Sequence, residues 1–144
     1  MRSHEVTQVV EAMTRLAKSA KLFGVRTLLT TAHSETQKLV KQVQDVFPDH
    51  EPIERTGLDA FEDERVVAWV KEGGHKRLVI TGLWTESCVT NTTLSALHAG
   101  FGVHIITDAA GGGSKETHDT AVPRMAQAGV DPTDDGAVSQ GDAA

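Results

Sequence analysis

A single cysteine, Cys88, stands where a short apolar run gives way to a helical pattern. The apolar run is Leu78-Val-Ile-Thr81, Gly82 breaks it, and Val89, Leu94, Ala96 and Leu97 then recur at helical spacing. A thiol in the first turn of a helix meets unpaired backbone N–H groups and the positive end of the helix dipole, which together favour thiolate over thiol. The matching chemistry is attack on an electrophilic carbon with a covalent intermediate. A lone cysteine also fits as a small buried hydrophobe, so the choice rests on where the fold puts it.

The elements that must position Cys88 alternate along the chain. Residues 6–23 carry Val9, Val10, Met13, Leu16, Ala17, Ala20 and Leu22 at helical spacing, and Gly24 stops them. Residues 25–31 are short, β-branched and apolar, the signature of a buried strand. Residues 34–47 show a weak helical pattern ended by Pro48, and 53–63 read as loop with at most one short extended piece. A helix over 62–71 closes at Gly73-Gly74, a strand covers 78–81, and the Cys88 helix runs to Gly100. A third strand at 103–107 leads to a loop holding Asp108 and Gly111 to Gly113, then to a helix over 116–128 closed by Gly129.

This rhythm predicts an α/β fold, three layers α/β/α with a parallel Rossmann-like sheet. Ligands in such sheets bind beyond the carboxyl ends of the strands. His33, the turn 84–88 and Asp108 all fall at those ends. Residues 1–130 form the expected domain, and 131–144, with four Asp and no large apolar residue except Val138, the expected disordered tail.

Composition narrows the function. The net charge is −6 and no cluster of Lys and Arg stands out, which argues against nucleic acid as a partner. No apolar run approaches the roughly 18 residues of a membrane span. One cysteine forms no internal disulfide, and the chain reads as cytoplasmic. The seven His show no metal spacing, and Gly111-Gly-Gly-Ser-Lys115 lacks the spacing of a phosphate loop, so neither metal nor cofactor is expected.

The stretch from Arg55 to Val130 resembles the isochorismatase-like cysteine hydrolase superfamily, its uncharacterised hydrolase branch more than the nicotinamidases. The resemblance lies in Gly82-Leu-Trp-Thr-Glu-Ser-Cys-Val89, in Gly100-Phe-Gly-Val-His-Ile-Ile-Thr-Asp-Ala109, in His118 and in Ala128-Gly-Val130. It implies that Cys88 is the nucleophile. It also implies a non-proline cis peptide at Trp84-Thr85 that aims backbone N–H groups near Thr85 and Cys88 into an oxyanion hole. Asp108 and His118 match site-wall or structural positions, and Trp84 and Phe61 are candidates to line the pocket. The superfamily's catalytic lysine, a few residues before an Ala-Phe pair, falls here on Arg55. Arginine keeps a charge that stabilises thiolate or oxyanion but does not give up a proton.

The chain departs from the pattern at both ends. The resemblance implies a first strand carrying the aspartate that deprotonates the cysteine, yet no Asp occurs before Asp45. That strand would lie between the ones at 25–31 and 78–81. The strand expected after Val130 is replaced by the acidic tail. A truncated copy or misassigned start, a catalytically dead relative, and a substitute base each account for this, with His33 the candidate for the last. The expected function is cysteine-dependent hydrolysis of a C–N bond in a small amide-like molecule. The alternative is an inactive relative acting as an oligomer subunit. Vinyl-ether hydrolysis fits less well, since in the superfamily it needs the aspartate and not the cysteine. Uncovered strand edges make a homo-oligomer the expected assembly.

Overall fold

Helix α1 (Val6–Leu22) forms because Val9, Ala12, Met13, Leu16 and Ala17 recur on one face, and none is more than 9% exposed. Its C-terminal end is closed by backbone hydrogen bonds: the Val25 N–H donates to the Ala20 carbonyl (2.8 Å) and the Gly24 N–H to that of Lys21 (3.3 Å), with Gly24 at φ 68°. This paired arrangement requires a left-handed residue, which glycine supplies without strain. The computed structural model describes residues 6–32, 41–55, 57–83, 88–112 and 114–133.

After α1 come strand β1 (Thr30–Ala32), helix α2 (Lys41–Val46) and strand β2 (Ile53–Arg55). A 3-10 turn (Ala60–Glu62) leads into helix α3 (Glu64–Gly73), then strand β3 (Arg77–Leu83), helix α4 (Thr90–His98) and strand β4 (Gly102–Gly111). Helix α5 (Lys115–Gln127) and strand β5 (Asp131–Thr133) complete the order. All strand pairs are parallel, so the α/β class read from the sequence holds.

Among the described residues the strands form two sheets, β1-β2 and β3-β4-β5, with no hydrogen bonds between them. The break falls between β1 and β3, where the resemblance puts a further strand. Helices bridge it on both faces. On one face Val66 and Val70 of α3 pack with Leu28 and Ile53 on one side and Leu78 on the other. On the opposite face α1 reaches Ile106 and Ala109 through Val9 to Leu16, and Leu29 through Ala17. Helices α4 and α5 cover the first face through Val89, Ala96, Ala121 and Met125, which pack on Val103 and Ile105.

Three expectations need correction. The strand expected at 25–31 is regular only at Thr30–Ala32, because its partner β2 is three residues long, and Val25 is 58% exposed. Asp108 does not lie in a loop after the third strand. Strand β4 runs on to Gly111, and Asp108 sits where the register breaks, between Ile105, opposite Ile80, and Ala110, opposite Gly82. The Thr81 hydroxyl donates to the Ala109 carbonyl across this bulge and pins it. The acidic tail does not begin at Asp131, since Asp131–Thr133 pair with His104 to Ile106 as β5. A strand that short, with Pro132 at an edge, is held by backbone bonds and by buried Val130 and not by an apolar pattern.

Helix α3 is capped by Asp63, whose carboxylate accepts from the Arg65 N–H at 2.9 Å and pairs with the Arg65 guanidinium at 2.8 Å. The hydrogen-bonded guanidinium holds the Asp63 carboxyl at about 2, below its ordinary 3.8. A lowered carboxyl contributes stability that is present above the ordinary value and fades as pH falls through about 2. A carboxyl NMR titration should give Asp63 a midpoint near 2, and Arg65→Ala should return it towards 3.8. In urea unfolding, Ile106→Ala should cost about 3 kcal/mol, because Ile106 is 0% exposed. Val79→Ala, at a side chain already 48% exposed, should cost under about 1 kcal/mol.

Candidate active site

Strand β3 delivers the chain towards Cys88, which lies in a wide π-type turn with Val89 just before the first residue of α4. The thiol is free and half-buried. Val89 takes the N-cap position of α4 and offers no side-chain acceptor, so no side chain at that position competes for the first-turn N–H groups. The helix holds its start in place through threonines: Thr90, Thr92 and Thr93 are 2%, 8% and 0% exposed. An unbranched polar run at this position would leave the turn loose; these β-branched side chains pack it.

Arg55 is the last residue of β2 and is only 7% exposed. Its Nη1 donates to the carbonyls of Gly57 (2.9 Å) and Leu58 (3.0 Å), which fixes the plane of the guanidinium against its own loop. Its Nε is buried and makes no hydrogen bond. The loop that follows is tied to α4 at two points. The Ala60 N–H donates to the Thr92 hydroxyl at 2.9 Å, and the Asp59 carboxylate accepts from the Ser95 hydroxyl. Asp59 also caps the 3-10 turn by accepting the Phe61 N–H at 2.8 Å. Thr92 stands one turn beyond Cys88 on α4, so the helix that Cys88 opens also anchors the loop that follows Arg55.

The other sequence candidates divide by position. His33, Trp84 and Thr85 lie outside the described residues. Asp108 lies in the bulged part of β4. Phe61 joins the clusters under α3 and α4 and packs on Phe101 with ring centroids 5.9 Å apart. His118 is 3% exposed on α5, one turn before Ala121 and two turns before Met125 of the core. Thr92, Ser95 and Asp59 went unnoticed in the sequence. The only signal for them is hydroxyls three apart, on the helix that follows the cysteine.

Among the described residues no three His, Cys, Asp or Glu side chains are grouped to hold a metal. No described helix is long and apolar enough to cross a membrane. The open groove between α1 and α2, lined by Thr14, Lys18, Lys21 and Gln42, holds none of the candidate residues.

The isochorismatase domain family model matches residues 1–136. The probable hydrolase YcaC of Escherichia coli (strain K12) is 39% identical over 118 residues, 80% of this chain and 57% of that protein. The chain thus spans less than three fifths of that relative's length. The crystal structure of the Escherichia coli YcaC gene product, described as an octameric hydrolase of unknown specificity, superposes with a TM-score of 0.87 at 36% identity, covering 94% of this chain and 68% of that one. YcaC from Pseudomonas aeruginosa, with hexane-2,5-diol and covalent acrylamide, gives 0.89 at 34% identity over 96% of this chain and 70% of that one.

If Thr92 anchors the loop after Arg55 as described, Thr92→Val should leave the buried Ala60 N–H without an acceptor. The expected loss is about 2 kcal/mol in urea unfolding. A loss indistinguishable from zero would mean that the tether does not hold the loop.

Proposed function

The chain belongs to the isochorismatase family, and on that footing we propose that it is a cysteine-dependent hydrolase acting on the C–N bond of a small amide-like substrate. The observation that carries this reading is the seat of Cys88: half-buried, in a turn at the head of α4, on the helix that also anchors the loop after Arg55.

In the proposed reaction the Cys88 thiolate attacks the amide carbonyl carbon and a C–S bond forms. The C–N bond breaks and the amine leaves with a proton. Water then cleaves the thioester, giving the carboxylic acid and restoring the thiol. Backbone N–H groups near Thr85 and Cys88 serve as the oxyanion hole, and Trp84 lines the apolar side of the pocket. Arg55 supplies fixed positive charge to the thiolate and oxyanion, and His33 is the candidate proton acceptor. Phe61, Asp108 and His118 hold the walls in shape.

A homo-oligomer fits the same reading. The relative from Escherichia coli is octameric, and here Leu22 and Phe23 are 80% and 69% exposed at the end of α1. The second reading, an inactive chain serving as an oligomer subunit, draws on the same exposed residues. A cytoplasmic location, where a lone thiol stays reduced, suits either one.

Reactivity separates the two. At pH 7 iodoacetamide should alkylate Cys88 in the folded chain about ten-fold faster than in the same chain unfolded in urea. The intact chain should release ammonia from members of a panel of small aliphatic amides, and Cys88→Ala should abolish that release. Equal alkylation rates in the folded and unfolded chains would remove the activated nucleophile and leave the inactive-subunit reading.

A further inference from the structure

Helix α1 carries a second pattern on the face turned away from the core. Its buried row is Val9, Met13 and Leu16, and on the opposite side Thr7, Glu11, Arg15, Lys18 and Leu22 are exposed. With about 3.6 residues per turn these five positions fall on one stripe along the helix. The stripe forms one wall of the open groove between α1 and α2, which runs from Thr7 to Leu22 with Gln42 on its other side. At its end lies an apolar corner made of the exposed Leu22, Phe23 and Val25.

The order of charges along the stripe selects what covers it. Glu11 and Lys18 are seven residues apart, and the midpoint between them falls between Thr14 and Arg15. A two-fold axis through that midpoint lays a second α1 antiparallel along the first. Glu11 of each copy then faces Lys18 of the other, with Arg15 beside the same carboxylate, so charges alternate across the contact. Leu22 of each copy meets Thr7 of the other, which brings the apolar corner onto the first turn of the facing helix. A surface complementary to itself about a two-fold axis is what a symmetric dimer contact requires. A uniformly acidic partner would oppose Glu11 with like charge, and a uniformly basic one would do the same to Arg15 and Lys18.

We propose that the outward face of α1 is the contact between two copies of this chain, packed antiparallel about an axis at Thr14 and Arg15. This rests on the homo-oligomer reading and adds the face that the copies share. The contact lies on the far side of the sheet from α4, because α1 packs on Ile106 and α4 on Ile105. The helix headed by Cys88 therefore stays outside it.

Sedimentation velocity of the intact chain at low salt tests the pairing. The wild type should be associated. Glu11→Lys or Lys18→Glu alone sets like charges against each other at both symmetric pairs and should weaken association about ten-fold. Both exchanges in one chain restore opposite charges and should bring association back to within about three-fold of the wild type. On the wild type alone, carbodiimide should couple Glu11 to Lys18 between copies. Within one helix the two stand roughly 10 Å apart, too far for a zero-length link, and mixing isotope-labelled with unlabelled chain marks the link as one between copies. Single variants that associate like the wild type, a double variant that stays dissociated, or no Glu11–Lys18 link between copies would each overturn the proposal and leave the homo-oligomer reading standing. A wild type that sediments as a monomer at every concentration would overturn both.

Discussion

Ile105 and Ile106 are neighbours on β4, point to opposite faces of the sheet, and are both 0% exposed. That double burial is the constraint from which the remaining arrangement follows. A strand covered on both sides needs a helix layer on each, and the chain provides α4 and α5 against Ile105 and α1 against Ile106. Strands β3 and β5 find their register by pairing with β4. Where β4 bulges after Ile105, β3 is pinned to it by the Thr81 hydroxyl, and this same stretch of β3 carries the chain towards Cys88. The site thus inherits its position from a packing requirement in the middle of the sheet.

Away from β4 the fold relies on helices to join what strands do not. The two sheets share no hydrogen bonds among the described residues, yet α3 and α1 each touch both. Apolar contact is non-directional, so a helix face bridges strands that are not paired. Val79, on β3 and 48% exposed, shows the cost: a strand of a doubly covered sheet with an apolar side chain left in water. The candidate site sits on the better supported part. Its helix is held by buried threonines, and its arginine loop is fixed to that helix by two side-chain hydrogen bonds.

Sequence alone determined the features whose causes are local. The face of α1 is written in the spacing of Val9 to Ala17, its end in Gly24, and the address of Cys88 in the step from an apolar run through Gly82 into a helix. The family follows from the motif around Cys88 and from the order of the pieces behind it, all of which are contiguous segments. Only the tertiary structure decided where strands end, because a strand's length is set by its partner. Residues 25–29, with Val25, Leu28 and Leu29, form no regular strand, whereas Asp131–Thr133 carry no large apolar side chain and pair with β4. The same holds for Asp108, drawn into β4 by pairing beyond the bulge. Arg55 shows the sharpest division. Its charge and its place before Ala60-Phe61 are legible in the sequence, but its burial, at 7% exposed, arises from packing between segments, which no local pattern encodes.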